Sequence, residues 1–251
     1  MKKKSNVVLI IILVLVIIAM VAVFFLMNKG IFGKKEDKEV KTTNSPIVTE
    51  APTPTPKVML PELVEHYEKN TDTIGWIKIE GTPIDYPVMF TPNDNEFYID
   101  KDFDKNPSIY GTLYIDVESE LNTPNTNIIM YGHNMKNQTM FGSLKKYRDK
   151  SYYDQHPKIT FNTLYDRGEY EIIGAFYAKV LLKTDTAYRY YKFFKANNED
   201  EFNEFINYVK SVREYDTGIE AKYGDELLTL STCSSHVENG RFAVVARRIK
   251  Q

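Results

Sequence analysis

The stretch LLTLSTCSSHVENGRFAVVARR, Leu227–Arg248, reads as two β-strands joined by a tight connection. Leucine, valine, threonine and phenylalanine fill both flanks, and the SSHVENG between them is polar and turn-forming. The first strand ends at Cys233, the only cysteine of the chain, and the second begins at Arg241. If the loop folds straight back, Cys233 and Arg241 lie side by side on neighbouring strands. A free cysteine is commonly a small buried hydrophobe. Here Ser231, Thr232, Ser234 and Ser235 surround it and the apolar run has already ended, so a surface or cleft position is expected.

Strands of the same texture run upstream. TIGWIKIEGTPIDYPVM (73–89) alternates and is cut by Gly-Thr-Pro, giving strand, turn and strand. GTLYIDVES (111–119) and NTNIIMYGHN (125–134) supply two more. KITFNT (158–163) and EYEIIGAFYAKVLL (169–182) flank a Tyr-Asp-Arg-Gly turn. Two helices interrupt this pattern. One opens the domain, with Pro61 in its first turn and Leu60, Leu63, Val64 and Tyr67 at helical spacing. The other carries Phe202, Phe205, Ile206 and Val209 on one stripe, with Asn198 as N-cap. Short strands joined by turns, with few helices, predict a mostly β fold closed or nearly closed into a barrel.

Ahead of this domain, Lys2, Lys3 and Lys4 precede an uncharged apolar run from Val7 to Met27. At about 1.5 Å per residue the run spans about 31 Å, the thickness of a bilayer core. A cleaved signal peptide would have a shorter apolar region and a small-residue cleavage site, and no such site follows Phe25. The expected organisation is a short N-terminus at 1–5, a membrane anchor at 6–27, a linker at 28–58 and one folded domain at 59–251. The linker joins a charged GKKEDKEVK to a proline-alternating SPIVTEAPTPTPK, an extended spacer with no core of its own. Lysines flank the anchor on both sides, so charge counting leaves its orientation open.

A net charge of −2, with no basic block interleaved with aromatics, sets nucleic-acid binding aside. A single cysteine excludes an intramolecular disulfide and a four-thiolate zinc site. The thiol itself needs a cation or base nearby, because the thiolate is the nucleophile. Four histidines are available. His66 is expected at the surface of the first helix, and His156, before Pro157, in a structural role. His236 makes a C-x-x-H pair with Cys233, but no second pair exists to complete a zinc site. His133, beside Gly132 at the end of an apolar strand, is well placed to face a cleft. Arg241 reads either as a surface partner for Glu238 or as a donor to an oxyanion, for which a permanently charged guanidinium is suited.

Taken together, these residues resemble those of the sortases, the membrane-anchored cysteine transpeptidases of Gram-positive bacteria. Thr229-Leu230-Ser231-Thr232-Cys233 is similar to the family's T-L-x-T-C motif. Tyr131-Gly132-His133 and Arg241 are similar to its histidine and arginine. TIGWIKIEGTPIDYPVM, NEFYIDKDF, GTLYIDVES and IIMYGHNMKNQTMFGSL, with the helix at 199–211, give the chain a class B character over about Leu60 to Ile249. The resemblance implies an eight-stranded sortase-type β-barrel with an N-terminal helix and a long helix between strands 6 and 7. It implies Cys233 as nucleophile, His133 as acid and base, and Arg241 as oxyanion donor. No cofactor or metal is implied. The implied partners are C-terminal sorting-signal peptides of secreted proteins and an amine of a peptidoglycan precursor. The implied location is the cell membrane, single-pass, with the N-terminus cytoplasmic and the catalytic domain outside.

By the same resemblance, Ser231, Asn95, Ile99 and Tyr190 are expected to contact substrate, although YRYYKFFK (188–195) leaves the register between Tyr190 and Tyr191 open. Some class B members carry an acidic residue just after the cysteine, and here Ser234 and Ser235 follow. Other thiol enzymes fit less well. Papain-like proteases run cysteine before histidine, and L,D-transpeptidases carry S-H-G-C where this chain has LSTC. A tethered binding module would leave His133, TLSTC and Arg241 unexplained together. A pilin lysine as acceptor remains an alternative to the wall precursor, and the sorting motif is not legible.

Overall fold

The computed structural model of the protein describes residues 57–119 and 126–250. The anchor expected at 6–27 and nearly all of the linker expected at 28–58 lie outside them. No helix among the described residues is long and apolar enough to cross a membrane.

In chain order the elements are α1 (Pro61–Lys69), β1 (Thr73–Lys78), β2 (Asp85–Met89), β3 (Leu113–Ile115), β4 (Asn127–Tyr131), α2 (Lys150–Gln155), β5 (Lys158–Thr163), β6 (Glu169–Lys179), α3 (Glu199–Val212), β7 (Leu227–Cys233) and β8 (Gly240–Arg248). The strands close into a barrel in the order β1-β2-β3-β4-β7-β8-β6-β5. Neighbours are antiparallel except at β2–β3 and β4–β7. Among the described residues every strand has a neighbour on each side, which is what closes the barrel.

Strand periodicity then sorts the side chains. Leu228 and Leu230 on β7, with Phe242, Val244 and Ala246 on β8, join Ile77, Val88, Leu113 and Met130 in the barrel interior. Their alternates therefore face outward: Thr229, Ser231 and Cys233 on β7, and Arg241, Ala243 and Val245 on β8. The helix α3 covers part of that outer face. Its Phe202, Phe205, Ile206 and Val209 pack with Tyr190, Phe193, Ala243 and Val245. Each such burial contributes roughly 1.5–3 kcal/mol. As expected, the Asn198 side chain caps α3 by accepting from the Glu201 N–H at 2.9 Å.

Beyond α3 the outer face stays open, and Cys233 is exposed there. The segment leading into α3 is tied to the barrel by Asn127, which is fully buried. Its Nδ2 donates to Phe193 O at 2.8 Å, and its Oδ1 accepts from Thr229 Oγ1 at 2.9 Å.

Three details differ from expectation. His66 is half-buried, its ring 4.6 Å from that of Trp76, because the outer face of β1 needs cover. The strand at 169–182 stops at Lys179; beyond it Val180 lines the same cleft as Cys233, and Leu182 is exposed. Short 3₁₀ turns at Phe97–Ile99, Leu144–Arg148 and Tyr190–Lys192, with α2, were not anticipated. Segments of one or two turns carry too few residues to show a period.

Candidate active site

The connection between β7 and β8 brings Cys233 directly opposite Arg241, as expected. Ser234 N–H donates to Gly240 O at 2.9 Å. The adjoining Cys233–Arg241 pair thus takes a non-hydrogen-bonded position, where facing side chains come closest. The turn closes through Asn239, whose φ of 56° lies in the left-handed region that asparagine tolerates. At Gly240, a Cβ would lie 2.3 Å from Ser234 O, so the turn has no room for a side chain.

His133 reaches the same place from β4. That strand runs parallel to β7 with Tyr131 opposite Ser231, and Gly132 N–H donates to Ser231 O at 3.3 Å. The register, carried two residues further along both strands, leads to His133 and Cys233. Thr232 Oγ1 donates to Gly132 O at 2.7 Å. A Cβ at Gly132 would lie 2.3 Å from Leu113 Cδ2, so the backbone carrying His133 is packed tightly onto the barrel. His133 Nε2 is 2.6 Å from Ile99 O. A carbonyl only accepts, so Nε2 carries a proton, and in the neutral ring Nδ1 is the nitrogen free to take one.

The Arg241 guanidinium donates to Gly240 O at 3.1 Å, its only side-chain hydrogen bond among the described residues. The alternative pairing with Glu238 does not form there.

His133, Cys233 and Arg241 line one cleft of about 210 Å³. Ser231, Asn95, Ile99 and Tyr190 line it too, so all seven residues named from the sequence meet there. Their situations differ. Asn95 Oδ1 accepts from Val117 N–H at 3.0 Å, and Ile99 is 37% exposed. Ser231 is buried, its Oγ 2.8 Å from Tyr190 Oη. Tyr190 is only 1% exposed, and burial pushes its phenol well above the ordinary range. Its hydroxyl is committed to Ser231, so it braces β7 from behind the cleft surface. The neighbouring Tyr191 also lines the cleft and accepts from Leu181 N–H at 2.9 Å.

The other histidines lie elsewhere. His236 contacts Ser234 Oγ at 3.1 Å and packs on Tyr177, outside the cleft lining. His156 donates from Nδ1 to Glu80 O at 2.8 Å, the structural role expected of it. Sequence reasoning missed Glu96, Tyr114 and Tyr131, which also line the cleft. The alternation of Leu113, Tyr114 and Ile115 was the available signal, since it turns Tyr114 outward.

A thiol, an imidazole and a guanidinium converging on one cleft can carry acyl transfer through sulfur, with a proton shuttle and a fixed positive donor. The comparisons with known proteins agree. The family description "Sortase domain" matches residues 77–249. Sortase B of Staphylococcus aureus is 32% identical over 189 residues, covering 74% of each chain. Sortase B of Listeria monocytogenes is 28% identical over 190 residues, covering 75% of this chain and 74% of its own. A solved Staphylococcus aureus sortase B–substrate complex aligns with a TM-score of 0.68 at 28% identity, covering 77% of this chain and 87% of that one. The chain belongs to the sortase family, within its class B, and is a cysteine transpeptidase.

Proposed function

We propose that the protein cleaves a C-terminal sorting signal of secreted proteins after a threonine and transfers the new carboxyl end to an amine of the cell wall. Cys233 gives its thiol proton to His133, and its sulfur attacks the carbonyl carbon. Arg241, with a backbone N–H, holds the negative oxygen of the tetrahedral intermediate. The C–N bond breaks, and the leaving nitrogen takes from His133 the proton that came from the thiol. A thioester remains on Cys233. An incoming amine then forms a new C–N bond as the C–S bond breaks, and its proton passes through His133 to the sulfur.

The observation that carries this reading is the pairing of Cys233 with Arg241 across β7–β8, in a cleft that His133 also lines. Ser231, Asn95 and Ile99 contact the sorting signal along that cleft, and Tyr190 supports Ser231 from below. Residues 6–27 anchor the protein in the membrane with the N-terminus inside, and residues 28–58 tether the domain at 59–251 outside. The uncharged run from Val7 to Met27 supports that anchor. The test is cleavage of a sorting-signal peptide library by the full chain. The reading expects cleavage after threonine by the wild type and none by Cys233→Ala with its fold intact. Continued cleavage by that variant removes Cys233 from the mechanism.

A further inference from the structure

One polar group of the cleft is used neither by the fold nor by the chemistry proposed above. Tyr114 stands outward on β3, between Leu113 and Ile115, which point into the barrel. It is 8% exposed, and its ring leans on Tyr131 with centroids 5.6 Å apart. Neighbouring phenols are committed: Tyr131 to Asp116 at 3.0 Å and Tyr190 to Ser231 at 2.8 Å. Among the described residues the Tyr114 hydroxyl has no hydrogen-bond partner, although it lines the same cleft as Cys233. The ring is buried while the hydroxyl opens to the cleft, so a ligand atom there can become its partner.

The charges around it indicate which ligand. Burial first, then the carboxylates of Glu96 and Asp116, push the phenol above its ordinary range. The hydroxyl therefore stays protonated, able to donate and accept. Glu96 is the one carboxylate among the described residues lining the cleft, and it forms no ion pair among them. Arg241 already serves the oxyanion. The amide nitrogen of the sorting signal is uncharged, so a carboxylate gains nothing from it during cleavage. The acceptor arrives differently, because an amine with a pKa of about 8 to 10 is an ammonium near neutrality.

We propose that Glu96 and Tyr114 form the subsite for the acceptor amine. This rests on the thioester mechanism above. Glu96 draws the ammonium into the cleft, where it loses one proton to solvent. The Tyr114 hydroxyl then accepts an N–H from the neutral amine and turns its lone pair toward the thioester carbon. As the C–N bond forms and the C–S bond breaks, one of the two amine protons passes through His133 to the sulfur and the other stays on the new amide.

The test uses the full chain, a sorting-signal peptide that it cleaves, and two acceptors. Triglycine presents an ammonium, whereas hydroxylamine is small and uncharged near neutrality. In Glu96→Gln and in Tyr114→Phe, the ratio of triglycine to hydroxylamine transfer should fall about tenfold, chiefly through the KM for triglycine. An unchanged ratio in both variants overturns the subsite, including the case in which both acceptors slow equally. A wild type that forms no thioester defeats the parent mechanism instead, and the two failures are told apart by that control.

Discussion

Cys233 and Arg241 could be paired from the sequence because both lie in one stretch, where the loop and strand alternation fix which side chains face each other. His133 is about a hundred residues away, and only its strand-end position beside Gly132, and then the family resemblance, brought it forward. Glu96 was not legible, and strand alternation marked Tyr114 only as an outward residue of β3. Their part in the cleft depends on the Phe97–Ile99 turn packing over β3, which no local pattern announces. Three substitutions test the proposed roles. His133→Ala should be inactive in peptide cleavage, whereas His236→Ala should keep most activity; the reverse ranking would move the base to the C-x-x-H histidine. Arg241→Lys should slow turnover by roughly 10²–10³, since a point charge does not reproduce the guanidinium fork. Near-normal turnover would exclude the oxyanion role.

Among the elements, β7, β8 and α3 were read within a residue or so, because each has a clear period of two or of 3.6. The Asn198 cap was equally plain, since asparagine before an acidic first turn has one usual use. Asn198→Ala should lower stability by about 1 kcal/mol, read as a reduced denaturation midpoint; an unchanged midpoint would mean the cap bond contributes nothing. Gly132 is a stronger constraint. Its missing Cβ lets β4 lie against Leu113 and Phe141, and His133 follows at once. Gly132→Ala should destabilise the barrel by about 1–3 kcal/mol and reduce cleavage further than stability alone explains. A variant with wild-type activity and stability would show that the strand end can shift without moving His133.

At the scale of the molecule, barrel closure was expected from many short strands, but the crossing order was not. The parallel β4–β7 contact joins segments about a hundred residues apart, and that contact builds the site. The barrel also buries many phenols. Burial raises Tyr170 to about 12, and it pushes Tyr98, Tyr114, Tyr131, Tyr147 and Tyr190 up as well. Groups whose folded pKa lies above the unfolded value of about 10 contribute stability that is complete below pH 10. That contribution is lost as pH rises through the folded values. Urea melts should therefore hold a steady midpoint up to about pH 10 and weaken above it, with tyrosine ionisation tracking unfolding. Phenols that titrate at their ordinary value in an intact fold would contradict this.

The whole account turns on a covalent bond to one sulfur. The full chain, incubated with sorting-signal peptides and quenched in acid, should gain the mass of the N-terminal peptide fragment. Peptide mapping should locate that mass on Cys233, hydroxylamine should remove it, and Cys233→Ala should never acquire it. Cleavage without any adduct on Cys233, or an adduct on another residue, would contradict the account.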